Sequence, residues 1–144
     1  MKNRFLENPT EDDIMEIGEE FLLRDAVVAI DSSDIREIME EAENAIILTG
    51  KATGRNRCAD AIEDAVLHTC SMADGYYLFS AEKGLLYVVS PKDIPLLMSE
   101  SEAINTFFEM FHHDTICKWG LAEEDISEVK VVIIASNLRK KSQI

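Results

Sequence analysis

In the stretch AIDSSDIREIM, residues 29–39, two aspartates stand three apart, Asp31 and Asp34. Carboxylates at this spacing have two uses. In an active-site loop they hold or take a proton; at a helix start they accept hydrogen bonds from backbone amides that have no intrahelical partner. The spacing favours the second use. Asp34 can occupy the N-cap while Glu37, three residues on, reaches back to close a capping box. Asp31, just ahead, gains from the positive end of the helix dipole.

Other reactive side chains make weaker constellations. His112, His113, Asp114 and Cys117 have ligand-like types, but adjacent histidines at a helix end are expected to point in different directions, and the cysteine falls in an expected strand, so no metal is expected there. His68, near Cys70, reads as a helix end. No histidine has a serine or cysteine partner in a recognisable nucleophilic motif. TGKATG fails as a Walker A loop, because Ala45 stands at the first glycine position and Ala52 at the hydroxyl position. Its glycines read as a turn.

The elements that must position Asp31 and Asp34 follow from periodicity. Ile14, Ile17, Phe21 and Leu22 mark a helix over about 10–23 behind Pro9-Thr10, and Ile35, Ile38, Met39 and Ala42 mark a second one from about Asp34. AIILTG, 45–50, is short and β-branched and reads as a strand. Ala61, Ile62, Ala65 and Val66 form a third helical stripe. YYLFS and GLLYVVS are strand signals separated by AEKG and could pair as a hairpin. Ile104, Phe107, Phe108 and Phe111 give a fourth helix, followed by TICKWGL and the apolar VKVVIIA, 129–135. Tyr87 and Trp119 read as core or sheet-face residues. The alternation argues for an α/β (α+β) sandwich, with a mixed sheet of four to five strands packed against helices. A single domain over 1–144 is expected, with 1–28 as an N-terminal helical extension.

Composition narrows the function classes. The chain has 144 residues, 28 acidic against 14 basic, for a formal charge of −14. That charge repels phosphate backbones and anionic headgroups, so neither nucleic acid nor a membrane surface is an expected partner. Cys58, Cys70 and Cys117 are odd in number and widely spaced, which suggests neither a disulfide framework nor a zinc knuckle. No apolar run approaches the roughly 20 residues of a membrane span, and the N-terminus lacks a signal-peptide core. A cytoplasmic, unprocessed small protein is the expectation.

The order of motifs over about residues 29–138 resembles the C-terminal domain of the FtsZ/tubulin family. The family's loop N-x-D-F-A-D-V followed by R-x-I-M is similar to AIDSSDIREIM, with Asp31 and Asp34 on its two acidic positions. M-x-x-G-x-A-x-G-x-x-R-x-x-x-A is similar to ILTGKATGRNRCADA, matching Gly50, Ala52, Gly54 and Arg57. GLLYVVSPKDIPLLMSESEAI resembles G-V-L-L-N-I-T-G-G-x-D-L-x-L-x-E-x-x-E-A, one residue shorter at the turn. TICKWGLAEEDISEVKVVIIASNL resembles the closing strand pair.

The resemblance implies a fold and a place of action. In the family, a GTPase domain holds nucleotide on glycine-rich loops, and the acidic loop of one subunit completes the site of the next. No G-G-G-T-G loop occurs in this sequence, and Ala29, Ser32 and Ser33 replace the family's asparagine and Phe-Ala pair. The implied function is a non-catalytic FtsZ-like binding or assembly module, in bacterial cell division or a tubulin-like filament system. It would need no cofactor and no metal, and its partner would be an FtsZ-like or tubulin-like GTPase subunit, or a second copy of itself. The alternatives are a component in trans, where Asp31 and Asp34 position water for GTP hydrolysis by a separate GTPase domain, or a diverged self-associating domain whose first helix covers the face that the GTPase domain occupies in the family.

Overall fold

The computed structural model of the chain describes residues 1–21 and 26–144, with the backbone alone at 21 and 26–28. Its elements run β1 (Arg4–Glu7), α1 (Glu11–Phe21), β2 (Ala26–Val28), α2 (Ser32–Met39), β3 (Asn44–Ala52), α3 (Arg57–Leu67), α4 (Thr69–Met72), β4 (Tyr76–Tyr77), β5 (Lys83–Pro91), α5 (Glu102–Glu109), β6 (Ile116–Glu124), β7 (Val129–Ser136) and β8 (Arg139–Lys140).

The main sheet has the order β1-β3-β7-β5-β6-β2. β5 and β6 are parallel, and every other pair is antiparallel. The expected sheet of four to five strands is present as the long strands β3, β5, β6 and β7, and the two short edge strands extend it to six. Both edge strands come from the segment expected to be a helical extension. The predicted helix is there as α1, opened by a reciprocal pair in which the Thr10 amide donates to Asp13 Oδ2 at 2.8 Å and the Asp13 amide to Thr10 Oγ1 at 3.2 Å. Strands of three or four residues carry too little periodicity to be legible; they form because β3 and β6 offer unpaired edges. Leu22 of the expected helical stripe, and the side chain of Phe21, lie outside the described residues.

Apolar runs such as VKVVIIA do not alternate because the sheet is covered on both faces. Val131, Ile133 and Ala135 of β7 join Ile46 and Leu48 of β3 and Leu86 and Val88 of β5 beneath α3 and α5. The intervening residues Val132, Ile134, Ile47, Leu85 and Tyr87 point the other way, against Ile14 and Ile17 of α1 and Ile35, Ile38 and Met39 of α2.

Two expectations are corrected. YYLFS and GLLYVVS do not form a hairpin: Tyr76–Tyr77 pairs with Arg139–Lys140, and 78–80 make a single 3-10 turn. β5 is buried along nearly its whole length and takes both neighbours from β6 and β7, so no edge is left for a local partner. Gly50 is not in a turn but within β3, where an added Cβ would lie 2.1 Å from the Ala61 carbonyl oxygen and 2.5 Å from the Ala65 amide nitrogen. Only glycine lets α3 pack that close. Gly54, with φ +96°, does make the turn.

Candidate functional site at the start of α2

Asp31 is placed by its neighbour. Ile30 is buried over Gly120 of β6, where a Cβ would meet Ile30 Cγ1 at 2.5 Å and Tyr87 Cδ1 at 2.8 Å. The chain then turns into α2 with Asp31 extended at φ −114°, ψ 178°. Asp31 Oδ1 accepts from the amides of Ser33 at 2.9 Å and Asp34 at 3.1 Å and from the Ser33 hydroxyl. Asp34 Oδ2 accepts from the Asp31 amide at 3.0 Å. The capping box is therefore Asp31 with Asp34, not Asp34 with Glu37, and the helix starts two residues earlier than expected. Oδ2 of Asp31 has no hydrogen bond among the described residues.

Glu37 has a different use. Lys118 Nζ of β6 sits 2.9 Å from Asp34 Oδ1 and 2.7 Å from Glu37 Oε2, bridging two carboxylates one turn apart on α2. A second ammonium, Lys83 Nζ, donates to the Glu37 carbonyl at 2.8 Å. Arg36 clamps Glu11 of α1 with both terminal nitrogens, Nη1 to Oε2 at 2.7 Å, and so joins the two helices on this face. The hydrogen bonds that the Lys118 ammonium donates to Glu37 and Asp34 hold it well above the usual lysine range. The Ser33 hydroxyl, then the Asp34 amide, holds the Asp31 carboxyl below the usual aspartate range.

The arrangement is an anionic helix start with a built-in counter-ion. Each oxygen of Asp34 already has a protein donor, whereas exposed Asp31 keeps one oxygen with no donor among the described residues. Lys118 escaped the sequence reading because it lies 84 positions from Asp34; the available signal was a lone lysine inside the apolar TICKWGL.

Arg57 is a structural residue. The residue is 8% exposed, and its guanidinium pairs with both Glu100 oxygens at 2.8 and 3.0 Å and donates to the carbonyls of Ile94 and Pro95 at 2.8 and 3.0 Å, so it holds the 92–101 loop to α3. Arg57 draws the Glu100 carboxyl below its usual range. His68 caps the end of α3, as expected. Cys117 lies in β6 as expected, but His112 and His113 do not diverge: their rings stand 4.2 Å apart and tilted by 33°. The expectation assumed helical geometry, in which successive side chains are about 100° apart, and both residues lie past the end of α5. Among the described residues, no helix is long and apolar enough to cross a membrane.

No protein-family model matches the chain. The cell division protein FtsZ of Neisseria meningitidis serogroup B is 28% identical over 145 residues, covering 98% of this chain and 36% of that protein. FtsZ 2 of Thermococcus kodakarensis is 28% identical over 116 residues, covering 79% of this chain and 27% of that protein. The FtsZ structure of M. jannaschii superposes with a TM-score of 0.66 over 85% of this chain and 38% of that one, at 20% identity. The chain is similar to the C-terminal domain of the FtsZ/tubulin family. A protofilament structure of TubZ from Bacillus thuringiensis serovar israelensis shares the fold as well, with a TM-score of 0.65 at 15% identity, over 87% of this chain and 32% of that one. The FtsZ-like chain thus spans little more than a third of the length of the Neisseria relative it matches nearly end to end.

Proposed function

We propose that this FtsZ-like chain is a non-catalytic binding and assembly module that docks, through the acidic start of α2, against a GTPase subunit of an FtsZ- or tubulin-like filament. The observation that carries the reading is the commitment of Asp34: one oxygen serves the Asp31 amide and the other the Lys118 ammonium. A carboxylate so engaged is a poor seat for an attacking water, while the rigid, charged loop it builds suits recognition. Similarity to FtsZ over 98% of the chain supplies the class of partner.

The test titrates the purified chain into the host's own FtsZ with GTP, reading association, pelleting and turnover. Association at tens of micromolar that alters pelleting, and that Asp31→Asn/Asp34→Asn weakens, supports the module. No association at that concentration overturns it.

A second reading rests on the Asp31 oxygen that takes no donor among the described residues. An exposed carboxylate held anionic by Ser33 can orient a water on a neighbouring subunit's phosphate. In that case Asp31→Asn abolishes any stimulation of GTP turnover while leaving association intact. Unchanged turnover rules it out.

A further inference from the structure

We propose that His112, His113 and Asp114 form a surface site for a divalent transition-metal ion, of the class Ni²⁺, Zn²⁺ or Cu²⁺, in the turn between α5 and β6. One donor atom from each of the three side chains lies within 4.8 Å of the other two. His113 Nε2 is 3.4 Å from Asp114 Oδ1, and His112 Nδ1 is 3.7 Å from Asp114 Oδ2. Ligands each about 2.0–2.2 Å from one cation stand roughly 3–3.5 Å from each other, so small rotations about the side-chain torsions close the set. Two imidazoles and one carboxylate suit borderline ions rather than Mg²⁺ or Ca²⁺, which prefer all-oxygen shells.

The turn is held before any ion arrives. Phe111, immediately ahead, is buried among Phe79 and Phe107. The Thr115 amide donates to the His112 carbonyl at 2.9 Å, and the Thr115 hydroxyl to the Ala81 carbonyl at 2.8 Å. Binding therefore orders three side chains and little backbone. The Asp114 amide donates weakly to His112 Nδ1 at 3.3 Å, a contact the metal replaces. All three side chains are largely exposed, so water, or a donor from another molecule, completes the coordination.

The test is a calorimetric titration of the tag-free chain with Ni²⁺, chosen because exposed Cys70 and Cys117 compete for softer capture of Zn²⁺. One equivalent is expected to bind saturably, and Mg²⁺ not to bind. His113→Gln weakens binding by about tenfold or more, and His112→Gln/His113→Gln removes it. His68→Gln and Cys70→Ser/Cys117→Ser leave it in place. The changed side chains are exposed apart from half-buried His68, and circular dichroism checks that each variant is folded. No saturable binding below about 1 mM, unchanged binding in the double histidine variant, loss in the His68 or cysteine variants, or equal uptake of Mg²⁺ would each overturn the site.

Discussion

Lys118 on β6 and Asp34 in the first turn of α2, 84 positions apart, meet at 2.9 Å and neutralise each other at the start of the helix. The contact ties the cap of α2 to the sheet, so the two ends of the pH scale act on one structure. Asp31, whose carboxyl is held below its ordinary 3.8, contributes stability that is complete above that value and is lost as pH falls through the depressed one. Lys118, held above its ordinary 10.5, contributes stability that is complete below that value and is lost as pH rises through the raised one. Asp31→Asn should flatten the acid limb of a urea-denaturation pH profile, and Lys118→Met the alkaline limb. Near neutrality Lys118→Met should destabilise by about 1 kcal/mol or less, since the pair is partly solvated and screened, and the loss should shrink at high salt.

Arg57→Met should cost more. It strands Glu100 beneath the 92–101 loop and frees two carbonyls. About 2 kcal/mol is expected, below the figure for a deeply buried pair because solvent lies close. Arg57→Met/Glu100→Leu should recover part of it, and hydrogen exchange should show the loop amides losing protection in the single variant.

The glycines rank by what obstructs them. In Gly50→Ala the added methyl meets helix backbone, while in Gly120→Ala it meets the side chains of Ile30 and Tyr87. Side chains can shift and a helix backbone cannot, so Gly120→Ala should lose about 1–3 kcal/mol and Gly50→Ala more. Equal losses in urea denaturation would contradict this ranking. Ile30→Ala, which removes the obstructing Cγ1, should relieve Gly120→Ala in part and leave Gly50→Ala unrelieved.

The thiols should react in a fixed order. Cys70 is exposed, burial raises the Cys117 thiol, and burial pushes the Cys58 thiol up to about 11. A chromogenic disulfide reagent at mild alkaline pH should therefore titrate Cys70 first and Cys117 more slowly, reaching Cys58 only at the rate of unfolding.

What could be read in the sequence was whatever is local. The stripe Ile35, Ile38, Met39 announced α2, and the apolar run 129–135 announced a strand, because helix and strand signals are written in neighbouring residues. The two aspartates announced a helix start, although their division of labour was off by one turn: N-cap identity depends on which residue leaves the helical region, a backbone choice that Ile30, seated over Gly120, makes for Asp31.

The amino-acid order alone determined the α/β class, the four long strands, the helical faces and the acidic start of α2. The tertiary structure decided the rest. It chose β6 and β7 as the partners of β5, added β1 and β2 to the sheet edges, set Lys118 against Asp34 and Glu37, and locked Arg57 to Glu100. The reason is range: periodicity and capping act within a turn or two of chain, whereas edge pairing and charge neutralisation join residues that only the packed sheet makes neighbours.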